Sequence, residues 1–295
     1  MAMLLRSFAA VALVPLFAFV GNKSDAPELP KAFRGQFASV PSGTLQANDV
    51  PVKVEGFLMA TTEVSNAEYG AFVNEVRTRG DAALLAIVLP DTEQWIKDHA
   101  FQEPYRQNYF RHPAYANYPV VNVGHDGAVA YCRWLQDKMN AQAGADRFEV
   151  RLPTRSEWWY AANGGSQRTN YVWGGPGLRN AKGCAMANFR HVGDENVRLD
   201  PATGRVEVIE NPQVYPGVAG QLTDNVDITA PVNSYAPNHF GLYNMNGNVA
   251  EMLAEEGQAA GGSWRSPGYD IRNESLMAFN GPSPEVGFRV LVEVR

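Results

Sequence analysis

Between Gly241 and Trp264 the chain reads GLYNMNGNVAEMLAEEGQAAGGSW, and no other stretch constrains the fold as strongly. Asn244, Asn246, Gly247, Asn248 and Glu251 fall within eight positions, and the pair Gly261-Gly262 follows. Oxygen-bearing side chains interleaved with glycine suit a loop wrapped around a hard cation. Calcium takes about six to eight oxygen ligands and accepts backbone carbonyls among them. Asn244 and Glu251 offer side-chain oxygens, and Gly247 and Val249 can turn carbonyls inward. On residue types alone the alternative stays open: an Asn-rich turn with no ion. The alternate acidic ladder of an EF-hand is absent.

Composition narrows the class. Of 295 residues 45% are hydrophobic and 19% charged, enough apolar side chain for one large domain. With 27 Gly, 19 Pro, 14 Phe, 12 Tyr and 6 Trp, the chain reads as loop-rich and globular rather than disordered. A net charge of −6 and the lack of a Lys/Arg cluster argue against nucleic acid as a partner.

Residues 1–21 read as an export signal: Arg6 is the positive start, and Phe8 to Val20 is an uncharged, mostly apolar run short of a comfortable bilayer span. Asn22 stands where a lipoprotein would carry cysteine. The expectation is an exported protein, periplasmic, outer-membrane-associated or secreted, with no membrane span once the signal is cleaved. Residues 22–34, polar and Pro-containing, read as a tether, and residues 35–295 as one domain. Two cysteines, Cys132 and Cys184, could pair, but spacing does not show it. Cys132 shares an apolar helix face with Ala128, Tyr131, Leu135 and Met139, which points to a buried thiol.

Three helices announce themselves. Ser65 with Glu68 forms a capping box, with Tyr69, Phe72, Val73 and Val76 inward and a stop at Gly80. Asp126 is expected to open a second helix to about Asn140. Thr154 with Glu157 caps a short third one ending at Gly164-Gly165. Pro119–Val123, Phe148–Leu152 and Phe288–Val292 read as strands from their β-branched content. Residues 165–240 show little periodicity, and a bound cation is one candidate to staple them.

Taken together, RLPTRSEWWYAANGG (Arg151 to Gly165), the Asn244 loop with its GGSW, and VGFRV (Val286 to Val290) resemble the formylglycine-generating, sulfatase-modifying factor family. The resemblance covers roughly Gly35 to Arg295. It implies a C-type-lectin-like α+β fold with little regular structure. It also implies two structural calcium sites: one at Asn244, Gly247, Val249 and Glu251, the other at Asn188, Phe189, Asp224 and Val226. TTEVSNAEYGAFVNEV and YPVVNV are similar to exported, mostly non-catalytic members, including lipoproteins of gliding and type IX secretion machinery.

The departures matter as much. Active members place cysteines three and eight positions after the Ser of Gly-Gly-Ser, and that thiol pair binds copper. Here the positions hold Ser266 and Ile271. Cu(I) selects soft sulfur, so copper is not expected. Ala162 and Val290 stand where the family commonly has disulfide partners, and Ala250 and Met252 replace two aromatics of its GNVWEW. The five histidines make no metal-binding spacing, and no Ser-His-Asp order or phosphate loop occurs. Trp264, Arg265, Ser266, Tyr269, Arg272, Asn273 and Asn280 are the candidate ligand-binding face, since aromatics and Arg dominate recognition hot spots. Three readings result: a non-catalytic binder of an envelope protein or glycan, an enzyme with other chemistry in the same cleft, or formylglycine generation kept by another route.

Overall fold

The computed structural model describes residues 29–97, 102–165, 168–190, 197–208 and 228–295. The expected signal, His99, His191, Asp224 and Val226 lie outside these residues. Six α-helices and twelve short strands are present among those described.

The strands β1 (Phe37–Val40), β2 (Gly43–Ala47), β3 (Val50–Val54) and β4 (Phe57–Ala60) come first. The helices α1 (Asn66–Arg79), α2 (Ala82–Val88), α3 (Gln94–Lys97), α4 (Glu103–Asn108) and α5 (His125–Ala143) follow, then β5 (Phe148–Arg151) and α6 (Arg155–Ala162). The remaining strands are β6 (Val197–Leu199), β7 (Val206–Val208), β8 (Ala250–Met252), β9 (Gln258–Ala260), β10 (Leu276–Ala278), β11 (Val286–Gly287) and β12 (Leu291–Val294). One sheet has the order β1-β4-β12-β5 and is antiparallel throughout. The second runs β10-β9-β8-β11, with β11 parallel to β8. The pairs β2-β3 and β6-β7 are separate hairpins.

Both capping boxes form. Ser65 accepts from the backbone of Glu68, whose carboxylate takes the Ser65 N–H at 2.8 Å, and Thr154 and Glu157 repeat the pattern. Helix α1 ends at Gly80 in left-handed backbone and buries Tyr69, Phe72, Val73 and Val76 as expected. These pack with Tyr131, Cys132, Leu135, Phe148 and Phe288 into the larger core between the α1/α5 layer and the first sheet. Trp158 and Trp159 of α6 anchor a second core with Leu45, Met59 and Leu291 on the other side.

Three expectations are corrected. Helix α5 begins at Gly124, which caps without a side chain; Asp126 lies inside the first turn, and the helix runs on to Ala143 before Gly144 turns left-handed. Pro119–Val123 is not a strand. It makes one bridge, Ser65 to Pro119, and then Asn122 breaks the run with φ 60°, although Val120, Val121 and Val123 are buried. Phe288–Val292 is split, because residues 288–290 pass from β11 in one sheet to β12 in the other. Leu29 and Phe33, within the expected tether, are buried in the larger core, each apolar side chain contributing about 1.5–3 kcal/mol by its removal from water.

Candidate functional site

Loop geometry around residues 241–262 follows from its Asn and Gly content. Asn244 (φ 52°), Gly247 (φ 73°) and Asn248 (φ 62°) all take left-handed backbone, which Gly and Asn adopt at least cost. Gly247 is required for a second reason: a Cβ there would overlap the carbonyl oxygen of Asn188. That carbonyl accepts the Asn248 N–H at 2.7 Å, so residues 188 and 248, far apart in sequence, are pressed together. The Asn248 side chain fastens the junction. Its Oδ1 accepts from Ala230 N at 2.7 Å and Asn188 Nδ2 at 3.2 Å, while its Nδ2 donates to Ala230 O at 3.2 Å.

A buried charge cluster lies beside this loop. Glu251, on the central strand β8, and Arg289, in the link between the sheets, are both fully buried. Arg289 grips Glu251 through Nε at 2.9 Å and Nη2 at 2.6 Å, and Trp158 Nε1 donates to the same carboxylate at 2.7 Å. The remaining guanidinium donors reach Ala60 O of β4 (2.9 Å) and Tyr243 O (2.7 Å), so one arginine joins both sheets and the loop. A second buried carboxylate, Glu63, accepts from Asn248 Nδ2 at 2.8 Å and Asn244 Nδ2 at 3.2 Å. Burial pushes the Glu63 carboxyl well above the carboxylate range; Arg289 opposes that push and Glu251 adds to it. Two carboxylates against one guanidinium leave an uncompensated negative charge whenever both are ionised, a costly state in an interior.

The cluster fits a cation on the donors present. Asn244 Oδ1 is buried with no hydrogen-bond partner, an orphan of the kind a bound ion satisfies. Glu251 Oε2 already accepts two bonds and Oε1 one, which leaves Oε1 an open lone pair. Donors that are all oxygen suit calcium rather than a soft metal. Sequence reasoning missed Glu63 and Arg289. The EVSN context of Glu63 and the GFR of Arg289 were the available signals, but neither says that the two acids share one space. At the second expected cation site, Asn188 is buried and donates to Ile228 O at 2.8 Å, and Phe189 is buried; Asp224 and Val226 lie outside the described residues.

At Ser266 and Ile271, where the resemblance places the family's thiols, the structure has ordinary turn and core chemistry. The Ser266 hydroxyl accepts from Ser263 N at 2.9 Å and closes a turn. Ser263 Oγ donates to Glu285 at 2.8 Å, and Arg265 pairs with the same carboxylate at 3.2 Å. Ile271 is fully buried against Tyr171, Ala187 and Phe189. Cys132 and Cys184 are both free. Cys132 is inside the larger core, where burial pushes its thiol up to about 12; Cys184 is exposed on a loop. Ala162 and Val290 are buried in different cores. Among the described residues no group of three or more His, Cys, Asp or Glu is arranged to hold a metal.

The candidate ligand-binding residues divide. Trp264 is half-buried on the Trp95–Tyr109 cluster, its indole donating to Pro284 O at 3.0 Å, and Arg265 lies over its ring. Tyr269 is 56% exposed with the Arg272 guanidinium 3.7 Å from its ring centre, and Arg272 also pairs with Glu274 at 2.9 Å. Asn273 is turned inward: its Nδ2 donates to Asn163 at 3.0 Å and its Oδ1 accepts from Asn246 at 2.9 Å, so it braces the loop and does not face a ligand. Asn280 is exposed in another hollow, beside Gly124–Gly127 and Glu256.

The sequence profile of the sulfatase-modifying factor enzyme 1-like domain matches residues 24–294. The chain belongs to this family. It is 30% identical to the formylglycine-generating enzyme of Mus musculus over 258 residues, which cover 80% of this chain and 55% of the mouse protein. It is 29% identical to that of Streptomyces coelicolor, covering 81% and 72% respectively. The inactive C-alpha-formylglycine-generating enzyme 2 of Bos taurus is 27% identical, covering 71% and 63%. The chain thus spans little more than half the length of the mouse relative. Two solved structures share the fold: PvdO from Pseudomonas aeruginosa (TM-score 0.54, 18% identity, 87% and 94% covered) and CarF (0.55, 20%, 88% and 98%). The loop-rich α+β architecture is therefore that of the family.

Proposed function

We propose that this member of the family is an exported, non-catalytic binding or scaffold protein of the cell envelope, stiffened by calcium. The observation that carries the reading is the pair of side chains at the copper-thiolate positions. Ser266 spends its hydroxyl on a turn and Ile271 is core hydrocarbon, so neither offers the sulfur that Cu(I) selects. The exposed Tyr269, with Arg272 stacked on its ring, is the surface suited to an envelope protein or glycan. Calcium is assigned a structural role at Asn244, Gly247, Val249 and Glu251, supported by the orphaned Asn244 oxygen and the surplus buried carboxylate.

Purified full-length protein supplied with Cu(I) and a cysteine-containing peptide tests the catalytic half. The expected result is neither copper binding nor thiol oxidation. Turnover that disappears in Cys132→Ser or Cys184→Ser would overturn the proposal. Capture from envelope extracts tests the other half. A specific partner lost in the Tyr269→Ala/Arg272→Ala double variant is expected, and a small molecule turned over in the cleft with no partner retained would favour an enzyme of different chemistry.

A further inference from the structure

Helix α1 carries a glycine that nothing in the fold explains. Gly70 sits mid-helix, where glycine is among the poorest helix formers. Its φ is not positive, and a Cβ there would meet no atom within 4 Å. A larger side chain would fit the backbone and favour the helix, yet the position is left bare. The space above it is a cavity of about 470 Å³.

The walls of that cavity are Val73, Leu89 and Phe110, with Leu89 44% exposed. At its edge are Arg77 and Arg111, both exposed, and no carboxylate lines it. Arg77 donates to the neutral amide of Asn74 at 2.7 Å; among the described residues neither arginine forms an ion pair. The volume falls in the range of small-molecule sites, about 300–1,000 Å³. It is too small for a helix, whose diameter with side chains is about 10–12 Å. The floor is helix, whose backbone groups are bonded internally, so there is no free ladder for an extended peptide strand to join. None of the lining residues comes from the Gly241–Asn280 segment.

We infer that this cavity is a binding site for a small apolar carboxylate, such as a medium-chain aliphatic acid. Its chain lies over Gly70 between Val73, Leu89 and Phe110, and its carboxylate meets Arg77 and Arg111. The glycine leaves room for the chain, and the unpaired guanidinium groups supply charge-assisted bonds to the acid. The site is independent of the calcium loop and of the Trp264 face.

Octanoate is the probe, with octanol as its neutral counterpart, both titrated into full-length protein by calorimetry and thermal shift. Octanoate is expected to bind and raise Tm, and octanol to bind at least about tenfold more weakly, as loss of a charge-assisted contact implies. The R77Q/R111Q double variant should weaken octanoate by a similar factor and leave octanol unchanged. Gly70→Leu fills the cavity and should abolish binding of both while keeping the circular dichroism of the parent. The double variant changes exposed residues alone, so the test stands even if Gly70→Leu folds poorly. The inference is overturned if octanoate fails to bind at millimolar concentration, if folded Gly70→Leu binds it as well as the parent does, or if acid and alcohol bind equally.

Discussion

Arg289 and Glu63 belong to the buried charge cluster of the interior. Arg289 satisfies Glu251 and carbonyls from both sides of the junction, and it has no exposed surface. Replacing it with methionine leaves Glu251 buried with only Trp158 as donor. The expected loss is about 3–5 kcal/mol in urea denaturation, and unchanged stability would show that the Arg289–Glu251 pair makes no net contribution to the fold. Glu63 makes a pH-dependent contribution. Its folded pKa lies above its unfolded one, so the folded state holds the proton more tightly. That stability is fully present below the ordinary carboxylate range and is lost as pH rises through about 8. In chelator, stability should therefore fall between about pH 4.5 and 8, and Glu63→Gln should flatten the curve. A curve equally steep in the variant would assign the slope to another group.

At the scale of elements, caps and glycines set boundaries, and losing either destabilises the fold by different amounts. Ser65→Ala removes the acceptor that holds the first turn of α1 and should cost about 1 kcal/mol. Gly247→Ala meets both a left-handed φ and the Asn188 carbonyl, so it should destabilise by well over the roughly 1 kcal/mol of an ordinary glycine replacement. Thermal melts of the two variants side by side give the comparison, and a Gly247→Ala protein as stable as Ser65→Ala would contradict the close packing of the loops. The elements least legible in the sequence were α2 to α4 and the hairpin β2-β3. Short helices of four to seven residues carry too few turns for an apolar period to register, and they persist through contacts such as Trp95 on Tyr109, 4.8 Å between ring centres.

For the whole molecule, the cation is the test of how the halves are held together. The Asn244 loop touches the Glu63 segment, the Asn188 segment and, through Glu251 and Arg289, both sheets. Calcium bound there would stabilise the native state by mass action, so chelation should lower Tm and calcium should restore it. Elemental analysis that finds no calcium, together with a Tm indifferent to chelator, would remove the ion from the proposal. The hydrophobic cores would then have to hold the two sheets without it.

Much of this protein was written in local patterns. The capping boxes at Ser65 and Thr154, the buried face of α1 and α5, the inert Cys132 and the family's motifs each depend on residues close together in the chain. The inward turn of Asn273, the passage of residues 288–290 between two sheets and the meeting of Glu63, Glu251 and Arg289 do not. Glu63 bonds to an asparagine 185 positions away, and no local periodicity encodes such a pairing. Sequence selects side chains able to share a buried charge; only the packed chain decides which of them do, because desolvation makes each dependent on neighbours that arrive from distant segments.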